Sequence, residues 1–188
     1  MSTNLDEVAV ADLVGDRAIV WDSKYGMQLY SAGYFGQPVG IRKPKSAEFE
    51  TPLELSLLEA AYLTKIGTLR VNVPTKNRPL TTDEIVEIGL TFADEFLDRF
   101  LVYTHLREQG YIVRPGLKFG TDFAVYRKGP GKDHAPFMVH VNPRSRGLIP
   151  LDIVRAGRLA TSVKKRFIIA TIKENTTIAY YSFVWHRP

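Results

Sequence analysis

Short apolar pieces separated by polar turns fill the start of the chain: VAVADLV, RAIVW and QLY, broken by Gly15-Asp16 and Lys24-Tyr25-Gly26. That pattern predicts a small antiparallel sheet over residues 7–30. Gly33, Gly36 and Gly40 mark a turn-rich passage, and IRKPKSAEFE (41–50) is a polar stretch that reads as an exposed, basic insertion. Thr51-Pro52-Leu53-Glu54 has the form of a helix start, with Thr51 as cap, Pro52 in the first turn and Glu54 completing a capping box. Leu53, Leu57 and Ala60/Ala61 continue one apolar face until Gly67, and Leu69–Val73 reads as a short strand. Pro79 to Gly110 is the most helical part, in two pieces: DEIVEIGL after Thr81/Thr82, and FADEFLDRFLVYTHLREQG, which stops at Gly110. Phe92, Phe96, Phe100 and Tyr103 recur along it as a core stripe, and a domain boundary is expected near residue 95.

Beyond Gly110 the period shortens again. Tyr111–Arg114, Phe119–Arg127 and Phe137–Val141 read as strands, and Leu151–Arg166 as an amphipathic helix with Leu151, Val154, Leu159 and Val163 near one face. Phe167–Lys173 and Thr177–Trp185 read as strands around a KENT turn. The final strand, IAYYSFVW, is apolar and aromatic on both faces, so it is either central to a sheet or covered by a partner. The outcome is a mixed α+β or α/β chain. A small N-terminal α/β domain spans 1–95 and a C-terminal α/β domain spans 96–188.

Composition adds boundaries to this picture. In 188 residues, 45% are hydrophobic and 24% charged, a globular balance. There is no apolar run of the roughly 20 residues that cross a bilayer. The acidic MSTNLDEVAV start does not resemble an export signal, so a cytoplasmic protein is expected. The absence of cysteine excludes disulfides, thiolate metal sites and cysteine nucleophiles. Charge is asymmetric. Residues 1–111 hold 11 Lys and Arg against 16 Asp and Glu, whereas residues 112–188 hold 14 against 4. A field concentrated in this way on the C-terminal half favours a nucleic acid over an acidic metabolite as partner.

Three residues are candidates for shared chemistry. Tyr126 lies on a predicted strand, His134 follows across a Gly-rich loop, and Lys165 lies near the end of the next helix. Histidine is the natural acid and base near neutral pH. Tyrosine, with a pKa of about 10, acts as a base only where a cation favours its phenolate. A lysine supplies that cation and can neutralise charge developing on a phosphate. Without metal or other cofactor, such a trio suits RNA cleavage by the substrate's own 2′-hydroxyl, giving a 2′,3′-cyclic phosphate and a 5′-hydroxyl. Each residue also has an ordinary structural explanation, and spacing alone does not decide between the two.

YIVRPGLKFGTDFAVYRKG, DHAPFMVHV, RLATSVKKRFIIATI and TIAYYSFVW, in that order and spacing, resemble the C-terminal half of the archaeal tRNA-intron (splicing) endonucleases. LYSAGYFGQPVG and LELSLLEAAYL resemble their N-terminal half, so the likeness covers residues 17–188. It implies a C-terminal nuclease domain resembling the restriction-endonuclease-like fold, and a precursor tRNA substrate cut at a bulge-helix-bulge. It assigns catalysis to Tyr126, His134 and Lys165. Arg158 matches a cationic side chain that grips a bulge nucleotide, and Tyr180 lies near the position of the second clamp. The insertion, with Arg42, Lys43 and Lys45, resembles an RNA-contacting loop of crenarchaeal-type catalytic subunits. The Lys173-Glu174-Asn175-Thr176-Thr177 loop lacks the acidic plug of self-assembling members. Together these imply a heterotetramer of two catalytic and two structural chains, with a dimer formed through the C-terminal strand.

Two rivals are distinguishable. A magnesium nuclease could use Asp122 but needs Glu-x-Lys on the next strand, which reads FMVHV. A non-catalytic RNA-binding or structural subunit would lack the trio, and here all three positions are filled.

Overall fold

The computed structural model describes residues 8–44, 46–116, 120–132, 134–154, 158 and 166–183. The chain divides into two units, Met1–Phe100 and Leu101–Pro188. Each unit carries a five-stranded sheet, so the class is mixed α+β.

In the first unit β1 (Ala9–Val14) and β2 (Arg17–Val20) form an antiparallel hairpin around Gly15, whose positive φ suits glycine. The expected third strand is not there. Ser23–Gly33, which contains QLY, is helix α1, capped by the Asp22 carboxylate accepting from Lys24 N–H. Gly26 lies inside this helix and is not a break; a Cβ there would sit 3.1 Å from Leu53 Cβ, so glycine permits the close packing. β3 (Gln37–Pro38), β4 (Leu53–Ser56) and β5 (Leu69–Asn72) complete a sheet ordered β3-β4-β2-β1-β5.

The helix start expected at Thr51 is likewise corrected. Leu53 and Leu55 are both fully buried on one face of β4, paired to Val20 and Ala18, a period of two that no helix can present. Helix α2 (Leu57–Lys65) begins after it. Ser56 Oγ accepts from Glu59 N–H, and the Glu59 carboxylate accepts from Ser56 N–H. That carboxylate is buried and also accepts from Gly36 N–H at 2.9 Å, joining the turn-rich passage to the helix. Ser56→Ala is expected to lower stability by about 1 kcal/mol, read as a lower denaturation midpoint. Thr51→Ala should leave stability within about 0.5 kcal/mol of wild type, and equal losses would restore the Thr51 cap.

The two helical pieces expected between Pro79 and Gly110 are α3 (Thr82–Phe92) and α4 (Phe96–Glu108), with the break after Phe92 rather than before it. Phe96, Phe100 and Tyr103 are buried as the stripe requires, but Phe92 is 59% exposed because α3 ends there.

In the second unit β6 (Ile112–Pro115), β7 (Phe123–Tyr126), β8 (Phe137–Asn142), β9 (Arg166–Ile172) and β10 (Ile178–Phe183) form a sheet ordered β10-β9-β8-β7-β6. All pairings are antiparallel except β8 with β9. The C-terminal part of α4 lies on one face: Tyr103 meets Phe123, and Arg107 is buried with its guanidinium donating to Tyr103 Oη and to Val113 O. Of the helix expected over Leu151–Arg166, residues 150–154 and 158 are helical; Arg166 already belongs to β9, and the remainder lies outside the described residues. Among the described residues β10 stands at the sheet's edge with Tyr181 half exposed, not at its centre.

Candidate functional site

β7 runs antiparallel to β8, and β8 parallel to β9. The last residue of β7 and the first residues of β8 and β9 therefore lie at the same end of the sheet. The register is explicit there: Val125 is paired with Phe137, and Phe137 with Arg166. Arg166 N–H donates to Pro136 O at 3.3 Å, tying the entry of β9 to the segment that leads into β8. Tyr126 closes β7, His134 stands two residues before Pro136, and Arg166 follows Lys165 in the chain. Lys165 itself lies outside the described residues, as does Lys45.

The local sequence explains why this end can hold a site. Side chains alternate along β7, so Tyr126 shares a face with Ala124. On that face Ala124, Ala135, Met138, Phe167 and Ile169 form a buried cluster, and Tyr126 packs half-buried against it. The loop after Tyr126 turns on Gly129 and Gly131, both at positive φ, with Lys132 N–H donating to Gly129 O at 3.1 Å. Ala135 is buried and fixes the chain one residue beyond His134, while the His134 ring is exposed and, among the described residues, has no side-chain hydrogen bond or ion pair. The result is a phenol supported by an apolar floor and an accessible imidazole, held at opposite ends of one short loop.

The other sequence-named residues fall elsewhere. Asp122, weighed as a metal ligand, has one carboxylate oxygen accepting from Val141 N–H and meeting His140 Nδ1, both at 2.9 Å. It clamps the start of β7 to β8, at the far end of the hairpin from Tyr126. Arg158 is exposed. Arg42 and Lys43 are exposed in the first unit, on an insertion held at one end by Gln37 donating to Ile41 O and at the other by buried Phe49 edge-on to Tyr30. Tyr180 is engaged within its own unit. Its ring stacks on His105 with centroids 5.5 Å apart, its hydroxyl lies 2.8 Å from His105 Nδ1, and burial raises its pKa well above the ordinary tyrosine value. Sequence reasoning passed over Arg166, which it placed at a helix end; the signal was its position just before the apolar FIIATI run that defines β9.

Comparison with known proteins follows the same division of the chain. A family model described as tRNA intron endonuclease, catalytic C-terminal domain, matches residues 96–180, and one described as tRNA intron endonuclease, N-terminal domain, matches residues 9–86. The chain is similar to proteins named tRNA-splicing endonuclease. That of Hyperthermus butylicus is 45% identical over 179 residues, covering 95% of this chain and 98% of that protein. Those of Pyrobaculum arsenaticum and Saccharolobus solfataricus are each 40% identical, over 93% and 92% of this chain and 97% and 96% of their own lengths.

Proposed function

The chain belongs to the tRNA intron endonuclease family and is an RNA endonuclease of tRNA splicing; from that premise we propose that it cuts precursor tRNA at exon–intron junctions in a bulge-helix-bulge, by attack of the substrate's own 2′-hydroxyl. The observation that carries the proposal is the convergence of the end of β7, the segment before β8 and the start of β9 at one end of a single sheet. Tyr126 is the base that takes the 2′-hydroxyl proton. The 2′-oxygen then forms a bond to phosphorus while the bond from phosphorus to the 5′-oxygen breaks. His134 donates a proton to the departing 5′-oxygen, and Lys165 stabilises the charge on the five-coordinate phosphate. The products are a 2′,3′-cyclic phosphate and a 5′-hydroxyl, and no residue role requires a metal ion or cofactor.

The C-terminal domain, 96–188, carries this chemistry on what we take to be a restriction-endonuclease-like fold. The N-terminal domain, 1–95, contributes assembly and RNA contact, the latter through Arg42, Lys43 and Lys45 of the insertion. Arg158 supplies one cation of a nucleotide clamp. Tyr180, the aromatic residue near the second clamp position, is held by His105. We place the protein in the cytoplasm; among the described residues no helix is long and apolar enough to cross a membrane.

Assembly follows from the sheet edge. Among the described residues β10 is an edge strand with Tyr181 half exposed, and a partner's equivalent strand would cover that edge. The 173–177 hairpin loop, closed by Lys173 N–H to Thr177 O, holds one acid and one base, poorly suited to plug a basic pocket. Both features support a catalytic subunit in a heterotetramer with two structural chains. The test is cleavage of a synthetic bulge-helix-bulge RNA by the chain alone and after mixing with a structural subunit. Cleavage that appears only in the mixture, with cyclic-phosphate ends, is expected. Full activity of the chain alone removes the heterotetramer, and hydrolytic 3′-phosphate or 5′-phosphate ends as primary products remove the mechanism.

A further inference from the structure

We infer that Arg166 is a second phosphate contact of this site, holding the nucleotide beside the scissile bond on the face of the sheet opposite Tyr126; the inference rests on the RNA-cleaving reading above. The backbone of Arg166 is fixed at the site. It opens β9, its N–H donates to Pro136 O, and its register partner Phe137 is itself paired with Val125, the residue before Tyr126. With strands about 4.8 Å apart, only two strand spacings separate it from the end of β7.

Direction follows from alternation. Phe167 is buried in the cluster that supports Tyr126, so Arg166, one residue earlier, projects to the other face, the one it shares with Phe137. On that face Phe137 meets Tyr111 edge-on with centroids 6.0 Å apart, and both rings are half-buried, leaving an apolar surface beside the cation. Other arginines are committed elsewhere: Arg107 to Tyr103 and Val113, Arg146 to Asp152, Arg78 to Glu84. Arg166 is exposed and, among the described residues, its side chain has no hydrogen bond or ion pair.

An RNA strand that passes from the Tyr126 face around the end of the sheet, where β7, β8 and β9 converge, would bring the phosphate next to the reacting one to the Arg166 side. A guanidinium can bind it through two parallel N–H donors, and half-buried aromatic rings beside it can cover part of the attached nucleotide. This is binding that the ground and transition states share, so its loss appears in KM.

The experiment compares wild type, Arg166→Gln and Arg166→Lys in the assembled enzyme on a synthetic bulge-helix-bulge RNA across a salt series. Removing one charge-assisted phosphate contact should raise KM about tenfold with kcat retained. The slope of log kcat/KM against log salt should become shallower by about 0.7. Arg166→Lys should restore the slope and part of the KM. Wild-type KM and slope in Arg166→Gln overturn the inference. So does a fall in kcat with KM and slope unchanged, which would place the residue in the chemistry or the fold. If wild type leaves the RNA uncut, the functional reading fails and this inference with it; if wild type cuts and Arg166→Gln is indistinguishable from it, this inference alone fails.

Discussion

His134→Ala should cut bulge-helix-bulge RNA about 10²–10⁴-fold more slowly than wild type, the usual worth of a positioned general acid. That corresponds to about 3–5 kcal/mol of transition-state stabilisation. The fold should not suffer, since the ring is exposed and has no side-chain partner among the described residues. RNA affinity should stay near wild type, which separates lost chemistry from lost binding. A chemical rescue tests the role itself. Replacing the bridging 5′-oxygen by sulfur gives a leaving group with a pKa of about 8.5, which departs without help, whereas an alkoxide near that of water at about 15.7 does not. The variant should approach the wild-type rate on the sulfur substrate. An equal defect on both substrates would show that His134 does something other than protonate the leaving atom.

Much of this architecture is legible in the chain, for reasons that differ by segment. The β7–β8 hairpin shows because apolar strands flank a loop whose glycines take positive φ, and glycine is the residue that tolerates it. The helical stretch after Pro79 shows because Thr81 and Glu84 form a true capping box. The failures arise where one local signal imitates another. Thr51-Pro52-Leu53-Glu54 has every residue of a helix start, yet the buried pair Leu53 and Leu55 pairs with β2 and forms a strand. Only Ser56 and Glu59, three residues further on, cap the helix. Gly26 looks like a turn in sequence and is a packing contact in space. Phe92 fits the aromatic spacing but lies where α3 stops.

The candidate site divides in the same way. Residue types at Tyr126 and His134 suggest the chemistry and the antiparallel β7–β8 hairpin keeps them at one end of the sheet, but the start of β9 joins them only through register, because β8 is parallel to β9. That parallel pairing joins residues some thirty apart in sequence, which no local pattern encodes. The same pairing brings Arg166 to the site. The length of β7 separates Asp122, whose carboxylate is occupied by Val141 N–H and His140, from the end of the sheet where Tyr126 stands. A carboxylate that looks like a ligand in sequence thus serves as a clamp on the hairpin.

The largest effect should come from the substrate. A single 2′-deoxy nucleotide at the cut position removes the proposed nucleophile and nothing else that the protein touches in the ground state, so binding should persist while cleavage at that bond is abolished. An attacking group held within the same nucleotide has an effective concentration of about 10⁵–10⁸ M, about 7–11 kcal/mol of the barrier, and water at the same site recovers little of it. The second junction of the same RNA, left as ribose, serves as an internal control and should still be cut at its normal rate. An enzyme that activated water would treat the two junctions alike, because its nucleophile would come from solvent. Cleavage at the deoxy junction comparable to the ribose control would therefore discard Tyr126 as a base for the 2′-hydroxyl, whatever the His134 variant does. Loss confined to that junction would fix the nucleophile as the RNA's own, and would require the protein to hold the reacting nucleotide with its 2′-oxygen in line with the departing 5′-oxygen.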